Sequence, residues 1–372
     1  MIDVEARAAA TQARELMAEF AEGTGLVGEG REPVRYLWTD AFAVCNFLSL
    51  GETELALRLV DQVHRTLGRR DPIHGDDGWL SGLDDTAAEK HPTWGGLRIG
   101  KRLPERDADE SFDERLEWDR DGQYFHYLTK WMHALDQVAR ATGEPRFNVW
   151  ARELAEVAFR AFTYVPAGES GGRRMHWKMS VDLSRPLVAS MGRHDPLDGY
   201  ITFRQLQGTA ELLGVANVGP TLMVEAAELA AMIPDELATD DPLGIGGLLG
   251  DAWRVEQLAR DGAISGPGLR DRLLEAALVG LRALGPGAFR GSADYRLAFR
   301  ELGLAIGLAA LPLLGDIAVG LSRFMSLRDE IDAFWLDPEQ QRAAPWLDHR
   351  HINEVLLARS LVPDGFLTLR TA

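Results

Sequence analysis

The sequence predicts an all-α protein built as an (α/α)6 toroid, a closed ring of six helical hairpins. Apolar residues recur with the helical period along most of the chain, and glycine and proline separate the periodic segments. Residues 52–67 and 145–163 are amphipathic, as expected of outer helices. Residues 41–50 and 302–311 are apolar nearly all round, as expected of inner helices. The alternation of the two kinds predicts the ring.

Each predicted helix ends at a turn or a breaker residue. A long irregular stretch, residues 69–116, interrupts the series of helices. Because loops of this length are uncommon inside compact domains unless they are functional, we expect this one to have a function. We expect this loop to cap a pocket. The chain is predicted to form a single domain of residues 1–372, and no segment has the pattern of a strand. The predicted helices span residues 4–22, 36–50, 52–67, 121–142, 145–163, 180–191, 198–214, 221–232, 245–260, 267–284, 292–310, 316–334 and 347–360.

Composition and charge limit the partners. The formal net charge of the 372 residues is -17, which repels phosphate backbones, so no nucleic-acid partner is expected. The N-terminus lacks a signal-peptide core, and the apolar stretch 302–314 is too short to span a membrane and contains Pro312. These features predict a cytoplasmic protein without a membrane partner.

Cys45, the only cysteine, lies in an apolar run, so neither an internal disulfide nor a zinc site of Cys and His is expected. His349 and His351 are two residues apart and point away from each other on a helix, so no metal is predicted there. No other cofactor is predicted, and the oligomeric state is left open.

The helix pattern over residues 4–360 resembles that of the six-hairpin glycosidase superfamily, which includes glycoside hydrolases and the related N-acylglucosamine 2-epimerases. The segment Tyr36-Leu37-Trp38-Thr39-Asp40 is similar to the aromatic and carboxylate pairing that such barrels often place on their first inner helix. The resemblance implies an (α/α)6 barrel and a small-molecule or oligosaccharide substrate. It lies in the helix pattern and not in a motif, so it assigns no catalytic residue.

The richest candidate segment is residues 89–131, where glycines alternate with aromatic, basic and acidic side chains. The loop part of this segment could bind a ligand or could be only a surface loop. Asp119 or Asp121 would in the second case serve as a helix N-cap. We expect the polar face of 117–131 to line the active site, with Asp121, His126 and Lys130 at its centre. The binding candidates of the segment are Lys90, His91, Trp94, Arg98, Trp118, Tyr127 and Lys130.

Hydrolysis of a glycosidic bond needs two carboxyl groups on either side of it. We expect Asp121 to be one of them, with Asp40 or Glu354 as the other. The predicted catalytic residues are Asp121, Asp40, Glu117, His126, Glu354 and His351.

Three further groups are candidates for substrate binding. His176, Trp177 and Lys178 lie in a loop, and His194 follows in the next one. Asp195 and Asp198, beside His194, fit turn or cap positions slightly better than functional ones. Arg296 and Arg300 form a basic stripe that could hold a carboxylate or phosphate, and a salt bridge with Glu301 is the alternative for them.

Two rival functions stay open beside hydrolysis. Epimerisation or isomerisation of a sugar would use histidines to move protons beside a carbonyl, namely His126, His176, His194 or His351. A helical scaffold that binds glycans without turnover would need only aromatic rings that stack on sugars, for which Trp38, Trp94, Trp118 and Trp177 are candidates.

Overall fold

The computed structural model describes residues 2–28, 30–71, 77–168, 172–285 and 287–370. The structure is 62% helix and 4% strand, which supports the all-α prediction. The closed toroid stays a prediction.

Seventeen α-helices follow one another in the described part of the chain. Short 3-10 segments cover Ala293–Tyr295, Gly315–Phe324 and Gln340–Arg342. The helices are α1 (Ile2–Gly23), α2 (Leu37–Ser49), α3 (Thr53–Leu67), α4 (Asp85–Lys90), α5 (Glu114–Asp119), α6 (Phe125–Thr142), α7 (Pro145–Phe162), α8 (Asp195–Leu212), α9 (Met223–Met232), α10 (Pro242–Arg260), α11 (Gly268–Leu284), α12 (Ala298–Leu308), α13 (Leu311–Leu314), α14 (Ser326–Leu336), α15 (Ala344–Asp348), α16 (Arg350–Leu361) and α17 (Asp364–Leu367).

Five short strands within the described residues correct the expectation that no strand is present. β1 (Gln123–Tyr124) pairs antiparallel with β4 (Lys178–Met179), which pairs with β5 (Pro186–Val188). β2 (Thr163–Tyr164) pairs with β3 (Arg174–Met175). Strands of two or three residues are too short to show an alternating pattern. The three-stranded sheet matters because β1 leads directly into α6.

Several segments differ from their predicted structure. Residues 316–334, predicted as one helix, divide into the 3-10 segment Gly315–Phe324 and α14. Residues 180–191, predicted as a helix, form turns and β5, because Asp182 Oδ1 accepts bonds from the Ser184 backbone N–H and the Ser180 hydroxyl. Such local bonds compete with helix formation. The stretch 69–116, predicted to be irregular, includes α4, whose N-cap Asp84 accepts a bond from the Ala87 N–H at 2.9 Å. Residues 72–76 of that stretch lie outside the described residues.

The density of internal contacts divides the chain into two compact units, and the predicted single domain stays a prediction. Unit 1 comprises the described residues of 1–27, 45–52 and 235–370. Unit 2 comprises those of 28–44 and 53–234.

In unit 1, α10 and α12 pack at very short range through glycines. A Cβ added to Gly246 would lie 2.1 Å from the carbonyl oxygen of Gly303, and one added to Gly307 would lie 2.3 Å from that of Gly246. No side chain fits between the two backbones at these positions. The contact therefore depends on glycine.

One described segment, residues 298–324, is long and apolar enough to cross a membrane by length and composition. Within the structure, 67% of its apolar window is buried. Because a buried core helix passes the same test, the segment is weak evidence for a membrane span, and the cytoplasmic location stays a prediction.

We predict that Gly246→Ala lowers the free energy of unfolding by about 1–3 kcal/mol, because the new methyl group forces α10 and α12 apart. Gly247→Ala is the matched control, since a Cβ at Gly247 meets nothing within 4 Å. The control should gain about 0.5–1 kcal/mol from the better helix propensity of alanine. Urea unfolding of both variants measures the difference, and equal effects would contradict the packing described.

Candidate functional site

A polar centre joins α6 to α8 in unit 2, around the buried carboxylate of Asp198. His126 Nδ1 lies 3.1 Å from Asp198 Oδ2, and the Thr129 hydroxyl donates to the same oxygen at 2.6 Å. Lys130 Nζ donates to both carboxylate oxygens, at 2.8 and 2.9 Å. His126, Thr129 and Lys130 are three and four residues apart, so α6 presents them on one face. We call these residues, with Asp195, the α6–α8 polar centre.

The ring of His126 is both oriented and accessible. As a carboxylate, Asp198 only accepts hydrogen bonds, so Nδ1 of the ring donates to it. The neutral imidazole then presents Nε2 as an acceptor, and 35% of the side chain is exposed. A histidine fixed by a buried carboxylate on one nitrogen has the arrangement of a general base.

Asp195 is the second carboxyl group of the polar centre. Its pKa is raised to about 6, mainly by burial; the charges of His126 and Lys130 oppose the rise, and that of Asp198 contributes to it. The residue is 4% exposed, and its Oδ2 has no hydrogen-bond partner in the described structure. Asp195 can therefore hold a proton close to neutral pH.

A row of aromatic rings runs through unit 2 beside the polar centre. The hydroxyls of Tyr36 and Tyr127 are 2.8 Å apart, and burial raises the pKa of both phenols. The rings of Tyr127 and His126 have centroids 6.3 Å apart, which links the row to the polar centre. The members of this aromatic row are Tyr36, Trp38, Trp118, Tyr124, Tyr127 and Trp177.

Trp118 gives the aromatic row an accessible end. It is 47% exposed, and its ring meets that of Trp177 edge to face at 4.8 Å. Trp38, by contrast, is buried against Phe42 and Tyr127. A flat ring that is half open to solvent can stack on an apolar ligand face.

Asp121 is buried, and its carboxylate is bound by an arginine and by backbone N–H groups. Its carboxylate pairs with the Arg98 guanidinium and accepts the backbone N–H groups of Gly100 and Lys101 at 3.0 and 3.3 Å. Arg98 also donates to the carbonyl oxygens of Arg69 and Thr66. The expected N-cap role is not seen, since Tyr124 precedes α6 and makes no side-chain cap. Asp121 instead fastens the segment before α6 to residues 98–101.

Glu117 and Lys178 form a second buried ion pair. Lys178 Nζ donates to Glu117 Oε1 at 2.9 Å and to the carbonyl oxygens of Glu117 and Arg120. Arg106 Nε donates to the other Glu117 oxygen at 3.1 Å. All three donors of Lys178 are thereby used, and each Glu117 oxygen is bonded to a cationic side chain.

Asp40 is likewise held in place within unit 2. Its carboxylate accepts the Tyr36 N–H at 2.9 Å and lies 3.5 Å from the Arg35 guanidinium, and both side chains are buried. The expected pairing of Asp121 with Asp40 is therefore between two carboxylates that each have a cationic partner of their own.

His91, Trp94 and Glu153 make a separate cluster. The His91 ring stacks on Trp94 at 4.4 Å, and its Nδ1 lies 2.7 Å from Glu153 Oε1. Burial raises the pKa of Glu153, and its bond to His91 opposes the rise. Lys90 is exposed, and its backbone oxygen accepts a bond from Trp150.

The two loop histidines have different surroundings. His176 stacks on Tyr164 with centroids 4.2 Å apart, and burial lowers its pKa. His194 is the residue before the first turn of α8 and makes no side-chain cap.

In unit 1, the remaining candidates are engaged in ion pairs. Glu354 is buried and bonds to Arg350 and to His351, at 3.3 Å for the latter. Arg296 pairs with Glu301, which is the alternative that the sequence left open. Arg300 pairs with Asp241 at 2.6 Å.

No group of three His, Cys, Asp or Glu side chains within the described ranges could hold a metal ion. The sequence analysis favoured turn or cap positions for Asp195 and Asp198, because each fits the start of a helix, and so left them out of the candidate site. Their spacing of three residues on a helix that follows a histidine was the available signal.

No model of a known protein family matches the chain. No curated protein matches it either. The resemblance to six-hairpin glycosidases therefore rests on the helix pattern alone.

We predict that Asp121→Asn destabilises the fold by about 2 kcal/mol or more, because it removes the nearer of the two carboxylates that face the buried Arg98 guanidinium and leaves only Asp71, 3.7 Å away. Asp119→Asn, at an exposed neighbouring position, is the control and should stay within about 0.5 kcal/mol. Denaturant unfolding measures both. A stable Asp121→Asn protein that had lost only its activity would return Asp121 to a chemical role.

We predict that Asp195→Asn becomes more stable than the parent protein as the pH rises. The carboxyl has a pKa of about 6 when folded, above the ordinary value of 3.8, so the folded state binds the proton more tightly. Ionisation of Asp195 therefore lowers the free energy of unfolding between about pH 4 and pH 6. The variant should exceed the parent by about 1–3 kcal/mol at pH 8 and show no such gain at pH 4.

The control for this comparison is Asp107→Asn, which changes an exposed carboxyl. Its stability should follow that of the parent protein at every pH. A gain for Asp195→Asn that is the same at pH 4 and pH 8 would contradict the raised pKa.

Proposed function

We propose that the chain is a carbohydrate-active enzyme that moves protons through His126, as an epimerase or isomerase of sugars. The observation that carries the proposal is the His126–Asp198 pair, in which a partly exposed imidazole is fixed by a buried carboxylate. His91 and His351 form similar pairs with Glu153 and Glu354. The His126 pair is distinguished by the second carboxyl group nearby, Asp195, and by the aromatic row beside it.

The chemistry follows from the positions of the charges. Nε2 of His126 would take the proton from the carbon beside the sugar carbonyl, and Asp198 would stabilise the imidazolium that forms. Lys130, one helical turn along α6, adds positive charge near the enolate oxygen that develops. The same imidazolium would then return the proton to the neighbouring carbon, on the same face, while the hydroxyl proton of that carbon passes to the original carbonyl oxygen, which isomerises the sugar. Epimerisation would need a second proton donor on the opposite face of the carbon.

The aromatic row supports a sugar as the substrate. Sugar rings have apolar faces that stack on aromatic side chains, and Trp118 is half exposed at the end of the row. The helix pattern supports the same class through its resemblance to six-hairpin glycosidases, and we propose the (α/α)6 toroid on that ground. A cytoplasmic location and a small-molecule or oligosaccharide ligand belong to the same proposal.

Glycoside hydrolysis is a second candidate, because Asp195 and Asp198 are carboxyl groups in contrasting surroundings. Asp195 has a raised pKa, as a general acid needs, whereas Asp198 is surrounded by hydrogen-bond donors. The carboxylates expected from the sequence, Asp40, Glu117 and Asp121, are engaged in buried ion pairs and lend this mechanism less support. A glycan-binding scaffold would need only the aromatic row.

We predict that the protein exchanges a carbon-bound proton of a reducing sugar with solvent. Proton NMR of a panel of aldoses, ketoses and N-acetylated hexosamines in deuterated water follows the signal beside the carbonyl. His126→Gln should slow the exchange by about 10²–10⁴-fold, the usual contribution of a positioned base. His349→Gln, at a histidine of unit 1, is the control and should exchange at the parent rate.

Other outcomes separate the candidates. If the protein releases the aglycone from aryl glycosides, and if Asp195→Asn abolishes this activity while His126→Gln retains it, hydrolysis is favoured. Sugar binding without turnover, lost in Trp118→Ala, would favour the scaffold. A protein that neither binds nor converts any sugar of the panel would overturn the proposed function.

A further inference from the structure

Lys101 differs from the other three lysines of the chain in its surroundings. Lys130 and Lys178 bond to buried carboxylates at 2.8 and 2.9 Å, and Lys90 is exposed. Lys101 is half-buried in unit 2, and its Nζ lies 5.5 Å from the centroid of the Tyr36 ring. Within the described ranges, this amine forms neither an ion pair nor a hydrogen bond. A lysine that is partly removed from water usually has a carboxylate partner, so the amine of Lys101 is available to a ligand.

The backbone holds Lys101 beside the aromatic row. The N–H groups of Gly100 and Lys101 donate to Asp121 Oδ1 at 3.0 and 3.3 Å. The Ile99 carbonyl oxygen accepts a bond from the Leu37 N–H, at the start of α2, at 3.0 Å. These bonds join the segment that carries the amine to the two segments that lead into α6 and α2.

The charges around Lys101 leave its amine free to bind an anion. Burial lowers the pKa of Lys101, and the charges of Asp119 and Asp121 oppose the fall. Asp121 is paired with Arg98, and Asp119 is exposed, where solvent screens its charge. An anion bound to the amine would replace part of the hydration that burial removes and would favour the charged form of the lysine.

A second hydrogen-bond donor lies beside the amine. The hydroxyls of Tyr36 and Tyr127 are 2.8 Å apart, and burial raises the pKa of both phenols, so both are protonated at neutral pH. Each phenol has one proton, and the bond between the two hydroxyls uses one of them. The other proton can be donated to an oxygen of a ligand, because both side chains are only half-buried.

We propose that Lys101 and this pair of hydroxyls bind an anionic group, a carboxylate or a phosphate, at the end of the sugar remote from the reacting carbon. The proposal rests on the proposed function, from which it takes the sugar and the role of His126. The ring centroids of Tyr36 and Tyr127 are 5.7 Å apart, and those of Tyr127 and His126 are 6.3 Å apart. Two rings therefore separate the amine from the imidazole.

This separation indicates the class of substrate. A sugar whose carbonyl end lies at His126 would extend along Tyr127 and Tyr36 and bring its other end to Lys101. An ammonium group bonds more strongly to a charged oxygen than to a neutral hydroxyl. The substrate class is therefore an acidic sugar, such as a hexuronate or a hexose 6-phosphate, and not a neutral hexose.

Proton exchange in deuterated water tests the proposal. Glucuronate, galacturonate and glucose 6-phosphate are compared with glucose and galactose, and the parent protein should prefer the acidic sugars by about tenfold or more in kcat/KM. Lys101→Met should lower kcat/KM for the acidic sugars by about 10–100-fold, mainly through KM, and leave the neutral sugars unchanged. Lys101→Arg should restore the preference. The better of the uronates and the phosphate identifies the anionic group.

The control is Arg160→Met, which removes an exposed cation of α7 and should keep the parent preference. The preference of the parent protein tests the proposal even if Lys101→Met fails to fold. Equal kcat/KM values of the parent protein for acidic and neutral sugars would overturn the anion site and leave the proposed function standing.

Calorimetric titration separates the anion site from the proposed chemistry if no sugar is converted. Binding of glucuronate or glucose 6-phosphate that is about tenfold or more tighter than binding of glucose, and that Lys101→Met loses and Lys101→Arg retains, would support the anion site and overturn only the chemistry. Acidic sugars that bind no more tightly than glucose would overturn the anion site as well.

Discussion

The buried ion pair between Asp121 and Arg98 fixes the path of the chain where it enters α6. The same carboxylate accepts two backbone N–H groups of residues 100–101, and the neighbouring Glu117–Lys178 pair ties α5 to β4. A buried charge is costly unless it has an opposite charge and hydrogen bonds beside it. Each pair therefore restricts the chain segments that carry it to one geometry. The helix that carries His126 therefore starts from a rigid support.

That support also explains why different acidic residues have different uses. Asp40, Glu117 and Asp121 each face an arginine or lysine, and their oxygens are occupied by the fold. Asp198 faces a lysine too, but it shares its oxygens with the ring of His126, which reaches solvent. Of these four carboxylates, Asp198 is therefore the one that bonds to a partly exposed imidazole.

Much of the helical fold could be predicted from the sequence, because periodicity and glycine or proline breaks mark the ends of helices such as α3 and α7. The strands were missed because two residues carry no pattern. In the candidate site, His126 and Lys130 were predicted from their place on one helix face. Asp198 was not, since its partners are about seventy residues away, and sequence spacing does not show such contacts.

Two buried groups, the Asp195 carboxyl and the Arg359 guanidinium, respond differently to burial. Asp195 can remove its charge by binding a proton, and its pKa of about 6 shows that burial drives it to do so. Burial also lowers the pKa of Arg359, but only to about 10, so the guanidinium keeps its charge at neutral pH. A buried carboxyl group such as Asp195 can therefore act as a proton donor, whereas a buried guanidinium such as Arg359 keeps its charge and the cost of burying it.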